Sequence, residues 1–227
     1  MPPSLHCGVD MADRLGANRW FAPLPAALRD AIAAAASPRA LAPGQWVYGQ
    51  GDEDTGIVMV VDGLLRLETV VDERTVLIGV ARAGTAFGQS RRHGGGPRIV
   101  TARAGPPSRV VTVGDSALGR IAVDQPAIWH AVSTLVYAQL DASVHGLAEM
   151  LALPPIARIA ARLRPFAEDG AAPLSQADLA ELCGLSRKTT SVHLATLEAA
   201  GAIARGYGSI RLTDPDMLAR FCAAETV

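Results

Sequence analysis

The chain has 227 residues, 49% of them hydrophobic, 19% charged and only 4% aromatic, with a formal net charge of −1. This length and apolar content favour two domains with separate cores, and the near-neutral balance excludes indiscriminate polyanion binding, so any nucleic-acid contact must come from a local face. The three cysteines, Cys7, Cys183 and Cys222, lack the spacing of a zinc or iron–sulfur site; with no signal peptide and no apolar run long enough to span a bilayer, a soluble protein of the reducing cytoplasm is expected.

Residues 1–17 have no strong period and read as a loose terminus. Asn18 to Ala36 carries Trp20, Phe21, Leu24, Leu28 and Ile32 and ends in alanines, which predicts a helix. From Arg39 to Val113 the texture changes to short β-type runs: Trp46 to Tyr48, Ile57 to Val61, Leu64 to Val70, Thr75 to Val80, Ile99 to Ala104 and Arg109 to Val113. Glycines 44, 51, 63, 84 and 88 punctuate them. Such strands predict an antiparallel barrel or double sheet. The interruption QSRRHGGGP, Gln89 to Pro97, has two readings: an anion cradle using backbone N–H groups with Arg91, Arg92 or Arg98, or a plain loop.

Asp124 and Pro126 are placed to open a long helix that ends near Leu151. Its apolar stripe runs through Ile128, Val132, Leu135 and Val136, then Leu140, Val144, Leu147 and Leu151. At roughly 39 Å it exceeds what one small domain covers. A second copy of the chain, in a parallel coiled coil, would cover it; so would the chain's own barrel. Pro154 and Pro155 then form a hinge before a helix from Ile156 to Phe166.

From Leu174 to Leu212 the spacing becomes specific. Ser175 with Asp178 and Ser186 with Thr189 are two N-cap signals eleven residues apart, each opening a helix. Between them Leu179, Leu182 and Leu185 are apolar, Ala180 permits close approach, and Gly184 suits a turn of positive φ. The second helix buries Thr190, Leu194 and Leu197. Arg187, Lys188, Ser191 and Val192 are left facing outward, in the half that reaches base edges in a recognition helix. Ala202 to Arg205 and Ser209 to Leu212, joined through Gly206, Tyr207 and Gly208, predict a hairpin wing. Helix pairs with a glycine turn also occur in proteins that never touch DNA; the wing and the polar outward face tip the reading. Lys188 is the chain's one lysine, beside Arg187. Between Leu153 and Leu212 seven basic residues face five acidic ones, a surplus of two positive charges of the sign phosphate contact needs.

In this order, the parts resemble the CRP/FNR family of bacterial transcription regulators over about Trp20 to Leu212. LSRKTTSVHLATLEAAGAI at Leu185 to Ile203 and PGQWVYGQGDEDTGIVMVVDGLLRL at Pro43 to Leu67 carry the likeness. The resemblance implies an α+β chain: an N-terminal antiparallel β-roll or jelly-roll effector domain (18–123), a dimerisation helix and hinge (124–153), and a winged helix-turn-helix domain (154–227). It implies a homodimer on pseudo-palindromic double-stranded DNA, with RNA polymerase as a further candidate partner, no membrane and no catalysis. Arg187, Lys188 and Val192 match the family's base-reading positions. Arg187 agrees with nucleotide-responsive members and suits guanine O6 and N7, whereas an acidic residue is common at Lys188 and arginine at Val192, so the operator should differ from the best-known one. Ser186 opens the helix, Thr189 and Ser191 are candidate phosphate or base contacts, and Arg205 and Tyr207 are candidate backbone contacts from the wing.

The effector positions depart further. Where cyclic-nucleotide-binding members carry glycine–glutamate and arginine–serine pairs, this chain has Gly88-Gln89 and Arg98-Ile99, and Ser143-Val144 stand where those members contact the base. The arginine is kept while the ribose carboxylate and the phosphate hydroxyl are lost, so cyclic AMP is not the expected ligand. An iron–sulfur cluster lacks its cysteines. For haem, His93, His130 and His145 are axial-ligand candidates by default only, and no metal or cofactor is assigned. Two other classes compete with a regulator: a ligand-sensing module whose helical tail binds a protein, and a cupin-like metalloenzyme, for which the barrel holds only His93.

Overall fold

The computed structural model describes residues 9–206 and 208–223. The chain divides into two compact units, Met1–Asp141 and Ala142–Val227.

The first unit is a sandwich of two four-stranded antiparallel sheets. One has the order β1 (Ser37–Leu41), β8 (Ser108–Gly114), β3 (Gly56–Asp62), β6 (Ala86–Gln89); the other β2 (Trp46–Tyr48), β7 (Thr101–Ala104), β4 (Leu64–Val71), β5 (Arg74–Arg82). Val58, Val60, Leu65, Phe87, Ala102 and Val110 fill the space between the sheets. The opposite face of the first sheet, through Ile57, Met59, Val111 and Val113, packs on helices. Strand β3 is therefore covered on both faces. That explains why GIVMVVD is a continuous apolar run and not an alternating one.

The helices on that sheet are α1 (Val9–Leu15), α2 (Ala26–Ala35), α3 (Asp115–Asp124) and the first half of α4 (Ala127–Ala152). Several expectations need correction. Residues 9–15 are helical, with Leu15 buried, where a loose terminus was expected. The helix expected from Asn18 begins only at Ala26, because Asn18 Oδ1 accepts the N–H groups of Trp20 and Phe21 in a turn, and Pro23 and Pro25 follow. Asp124 ends α3 and does not open α4. Strands β1 and β6 and helix α3 carried no sequence signal strong enough to be expected.

The 26-residue helix α4 divides its apolar stripe between two environments. Ile128, Ala131, Val132 and Leu135 are buried on the barrel. Val136, Tyr137, Leu140, Val144, Leu147 and Leu151 are exposed.

In the second unit, α5 (Pro155–Leu163) packs on α7 (Arg187–Ala199) and α8 (Pro215–Ala223), with α6 (Gln176–Leu182) beside them. The wing β10 (Ile203–Arg205) and β11 (Ile210–Leu212) is extended by an unexpected third strand, β9 (Ala171–Ala172), in the order β10-β11-β9. Ile159, Leu163, Leu179, Leu194, Leu197 and Leu218 form the buried centre. Helix α8 was also not anticipated.

Two buried polar groups yield tests. On the outer face of the second sheet, Glu68 is 5% exposed and is held by Arg103 Nη2 at 2.6 Å and Arg66 Nε at 2.8 Å. Burial alone would raise its pKa, but the hydrogen bonds from Arg103 and Arg66 outweigh it and leave the carboxyl below its ordinary range. A depressed folded pKa contributes stability above the unfolded value that is lost as pH falls through the folded one. Glu68→Gln should cost about 1–2 kcal/mol at neutral pH, discounted because both guanidinium groups reach solvent. Urea melts should show that difference shrinking as the pH drops below about 4. In α7, Thr190 is 0% exposed and its hydroxyl finds no partner among the described residues. Thr190→Val keeps the branched shape and removes the orphan, so it should raise the unfolding free energy by about 1 kcal/mol, read as a higher urea midpoint at unchanged slope.

Candidate nucleic-acid interface

The interface is built from two capped helices. Ser175 Oγ accepts the Asp178 N–H at 3.1 Å while Asp178 Oδ2 accepts the Ser175 N–H at 2.9 Å, a reciprocal capping box that starts α6. The helix stops at Cys183, followed by Gly184 at φ +62°. A side chain there would be strained by the backbone, which favours glycine; the Met150 methyl, 2.8 Å from an ideal Cβ, is the far end of a flexible side chain and can give way.

Ser186 then caps α7: its Oγ accepts the Thr189 N–H at 3.0 Å and lies 2.8 Å from Thr189 Oγ1. Both hydroxyls thus hold the start of the helix. Burial of Thr190, Leu194 and Leu197 fixes its rotation. Arg187 and Lys188 are consequently exposed on the first turn, Val192 is 58% exposed one turn later, and Ser191 is half-buried between them. The first turn holds no acidic side chain.

Arg205 closes the wing onto α7. Its backbone N–H donates to Glu198 Oε1 at 2.9 Å, and its guanidinium reaches Glu198 Oε2 at 2.6 Å. The backbone donor first, and then the guanidinium, hold the Glu198 carboxyl below its usual range. Arg205 is therefore a partly neutralised cation, and Arg211 on β11 is exposed. Tyr207 lies outside the described residues.

Sequence reasoning missed two arginines beneath this surface. Arg158 Nε donates to the Leu153 carbonyl at 2.8 Å and its Nη1 to the Cys183 carbonyl at 3.4 Å. One side chain thereby serves the C-terminal ends of both α4 and α6. Four residues on, Arg162 pairs with Glu149 at 3.3 Å and donates to the Gly146 carbonyl, also at 3.3 Å. Gly146 lies inside a long helix beside that guanidinium, which an added Cβ would meet only in ordinary contact at 3.5 Å. Cys183 is fully buried, and burial pushes its thiol up to about 11.

The effector positions lie in the first unit, apart from two. Gly88, at φ +132°, sits so close to the Gly56 carbonyl that no Cβ fits. Gln89 Nε2 donates to the carbonyls of Gly96 and Pro97, each at 2.7 Å. Arg98, from sequence one of three candidate anion-binding arginines, is 7% exposed. Its Nη1 donates to Gly56 O at 2.7 Å, its Nε to Asp54 O at 3.1 Å, and its guanidinium lies 3.9 Å over the Tyr48 ring. Burial lowers the arginine's pKa and raises that of Tyr48 to about 12. Ile99 is 71% exposed. Ser143 and Val144 are exposed on the α4 stretch that belongs to the second unit.

The loop between β6 and β7 contains a short 3-10 turn, Arg91–His93. Arg91 pairs with Glu53 at 3.0 Å and Arg92 with Asp115 at 3.4 Å. The His93 ring stacks on Trp129 at 5.1 Å, and its Nε2 lies 2.9 Å from Ser133 Oγ. His130 and His145 are exposed. Among the described residues no three metal-ligating side chains are gathered, and no helix is long and apolar enough to cross a membrane.

Comparison with known proteins accords with this geometry. The Cyclic nucleotide-binding domain family matches residues 38–124, and the Crp-like helix-turn-helix domain family matches residues 157–221. The nitrogen fixation regulation protein FixK of Bradyrhizobium diazoefficiens is 27% identical over 194 residues, 80% of each chain. A CRP-like cAMP-activated global transcriptional regulator of Mycobacterium tuberculosis is 25% identical over 188 residues, 78% of this chain and 84% of that one. In fold, the structure of FixK2 from Bradyrhizobium japonicum superposes with a TM-score of 0.73 at 20% identity, covering 84% of this chain and 99% of that one. A CRP/FNR-family regulator from Thermus thermophilus superposes with a TM-score of 0.66 at 22% identity, covering 83% and 99%. With a cyclic-nucleotide-binding domain, a Crp-like helix-turn-helix domain and these relatives, the chain belongs to the CRP/FNR family of DNA-binding transcription regulators.

Proposed function

We propose that the protein acts in the cytoplasm as a homodimer that reads a pseudo-palindromic operator with the first two turns of α7, and that it binds without catalysing. The observation that carries this reading is the fixed rotation of α7. Burial of Thr190, Leu194 and Leu197 on one side leaves Arg187, Lys188 and Val192 exposed on the other, at the end that reaches base edges. Arg187 suits a guanine through paired hydrogen bonds to O6 and N7, and Val192 suits a thymine methyl. Lys188, Ser191 and Thr189 lie within the same turns, with the Ser186 backbone at their entrance. Arg205 and Tyr207 of the wing serve the phosphate backbone.

Pairing is supported by the exposed face of α4. Tyr137, Leu140, Val144, Leu147 and Leu151 follow each other at steps of three and four, the seven-residue repeat of a coiled-coil seam. A stripe of that kind left in water is a candidate interface.

Cyclic AMP is not the ligand in this reading. Arg98 is engaged by carbonyls and by Tyr48, Gln89 is engaged by its own loop, and Ile99 supplies no hydroxyl. A nucleotide would have to break those bonds, each worth about 1 kcal/mol or more net, before making its own.

Selection of operator sequences from a random duplex pool tests the reading, and two inverted half-sites are the expected result. On the selected duplex Arg187→Ala should lose about 1–3 kcal/mol and tolerate any base at one position per half-site. Arg205→Ala should weaken all sequences alike, and by less, since Glu198 already offsets its charge. A pool that yields no motif would defeat the operator reading. Leu147→Asp should convert the dimer to monomers in sedimentation and lose the palindrome while keeping its helical circular dichroism; a variant that remains dimeric would place the interface elsewhere.

A further inference from the structure

The barrel-facing stripe of α4 runs through Ile128, Val132 and Leu135, all buried. The next position at the same spacing is Gln139, and a polar residue there breaks the apolar pattern. Its side-chain amide meets β6, an edge strand of its sheet. The Gly88 N–H donates to Gln139 Oε1 at 3.1 Å, and Gln139 Nε2 donates to the Gly88 carbonyl at 2.9 Å. One amide thereby pairs both outward main-chain groups of Gly88, as a neighbouring strand would. The same Nε2 also lies 3.2 Å from the Leu135 carbonyl, which anchors the side chain to its own helix.

The loop leaving β6 is similarly committed within the chain: Gln89 to Gly96 and Pro97, Arg91 to Glu53, Arg92 to Asp115, and His93 to Trp129 and Ser133 of α4. With Arg98 bound to Asp54 and Gly56, each of these side chains that could receive an anionic small molecule already has an internal partner. Gln139 is adjacent to Leu140 of the exposed seam and two residues from the end of the first unit at Asp141.

We propose that Gln139 is a positioning residue for DNA binding: by clamping Gly88 it fixes where α4 leaves the barrel, so that the chain reaches its DNA-binding state with no small molecule bound. This rests on the dimeric operator-binding reading above.

The test uses the full-length protein, unfolded and refolded to remove bound small molecules, with mass spectrometry of the denatured sample as a check. It is titrated onto the selected operator alone, with cyclic AMP, and with cyclic GMP. Wild type should bind equally in all three. Gln139→Leu should lose about tenfold or more in affinity while remaining a folded dimer, and its Gly88 amide should exchange with solvent faster than in wild type. Gln139→Glu separates positioning from general stability. Ionised, it sets a carboxylate against the Gly88 carbonyl; protonated, its O–H donates to that carbonyl while the other oxygen accepts the Gly88 N–H. Its affinity relative to wild type should therefore recover as the pH is lowered toward the carboxyl's range. Wild type that binds only with a nucleotide present, Gln139→Leu that binds as tightly as wild type, or a Gln139→Glu deficit that does not recover would each overturn the proposal. Failure of wild type to select any DNA under all three conditions would instead bring down the operator reading and this one with it.

Discussion

Helix α4 serves two clients and has surface to spare for a third. Over its first half, Ile128, Ala131, Val132 and Leu135 are covered by the barrel, and Trp20 Nε1 donates to the Ala131 carbonyl at 2.7 Å. Past Asp141 the helix belongs to the second unit, through the Arg162 contacts to Gly146 and Glu149 and the close fit of Gly184 on Met150. Neither set of contacts uses the stripe from Tyr137 to Leu151. A helix 26 residues long presents about 39 Å of surface, and an apolar line along it has no intramolecular cover among the described residues. The proposed pairing answers that constraint directly. It also places an identical α7 on each member of the pair, which is what two inverted half-sites demand.

The DNA-reading end depends on short-range chemistry more than on bulk. Ser175, Asp178, Ser186 and Thr189 satisfy helix N-termini with their own side chains, so both helices start at fixed residues. Gly184 sets the angle between them, and the Arg205–Glu198 pair draws the wing against α7. Arg158 then ties the Leu153 and Cys183 carbonyls through one guanidinium, so the end of α4 and the helix-turn-helix corner are held together. A change at the hinge has two routes toward α7: the Arg158 hydrogen bonds to the Leu153 and Cys183 carbonyls, and the apolar packing of α5 on α7.

The range of each interaction decides how legible it is in the sequence. Caps act over three residues, so Ser175 with Asp178 and Ser186 with Thr189 are written locally and were recoverable. So were the runs from Trp46 to Val113 that became six of the eight barrel strands. Strand β1 contains Pro38, which argues against a strand until β8 is seen to pair with it. Strand β6 is only Ala86–Gln89 and contains a glycine whose conformation is fixed by Gly56 across the ladder. Helices α3 and α8 have ordinary local patterns and are recognisable from what they pack on. The stripe of α4 was legible as apolar, but its division between barrel and solvent was not, because both halves share one period. Gln139 was visible only as an interruption of that period, and its meaning needed the free edge of β6.

Arg98 shows how the surroundings of a residue bear on the role proposed for it at a family position. In sequence it is an arginine beside a glycine-rich segment that reads either as an anion cradle or as a plain loop. In the fold its guanidinium is almost fully buried, a placement that is costly for an unpaired charge. Two backbone carbonyls and the face of Tyr48 offset that cost. The same contacts tie Arg98 to Asp54 and Gly56; Gly56 pairs across the ladder with Gln89 of β6, next to Gly88, which has no room for a side chain. Drawing Arg98 out toward a phosphate would strand two carbonyls. These contacts support the proposed reading, in which a nucleotide does not displace Arg98 from its carbonyls and Tyr48.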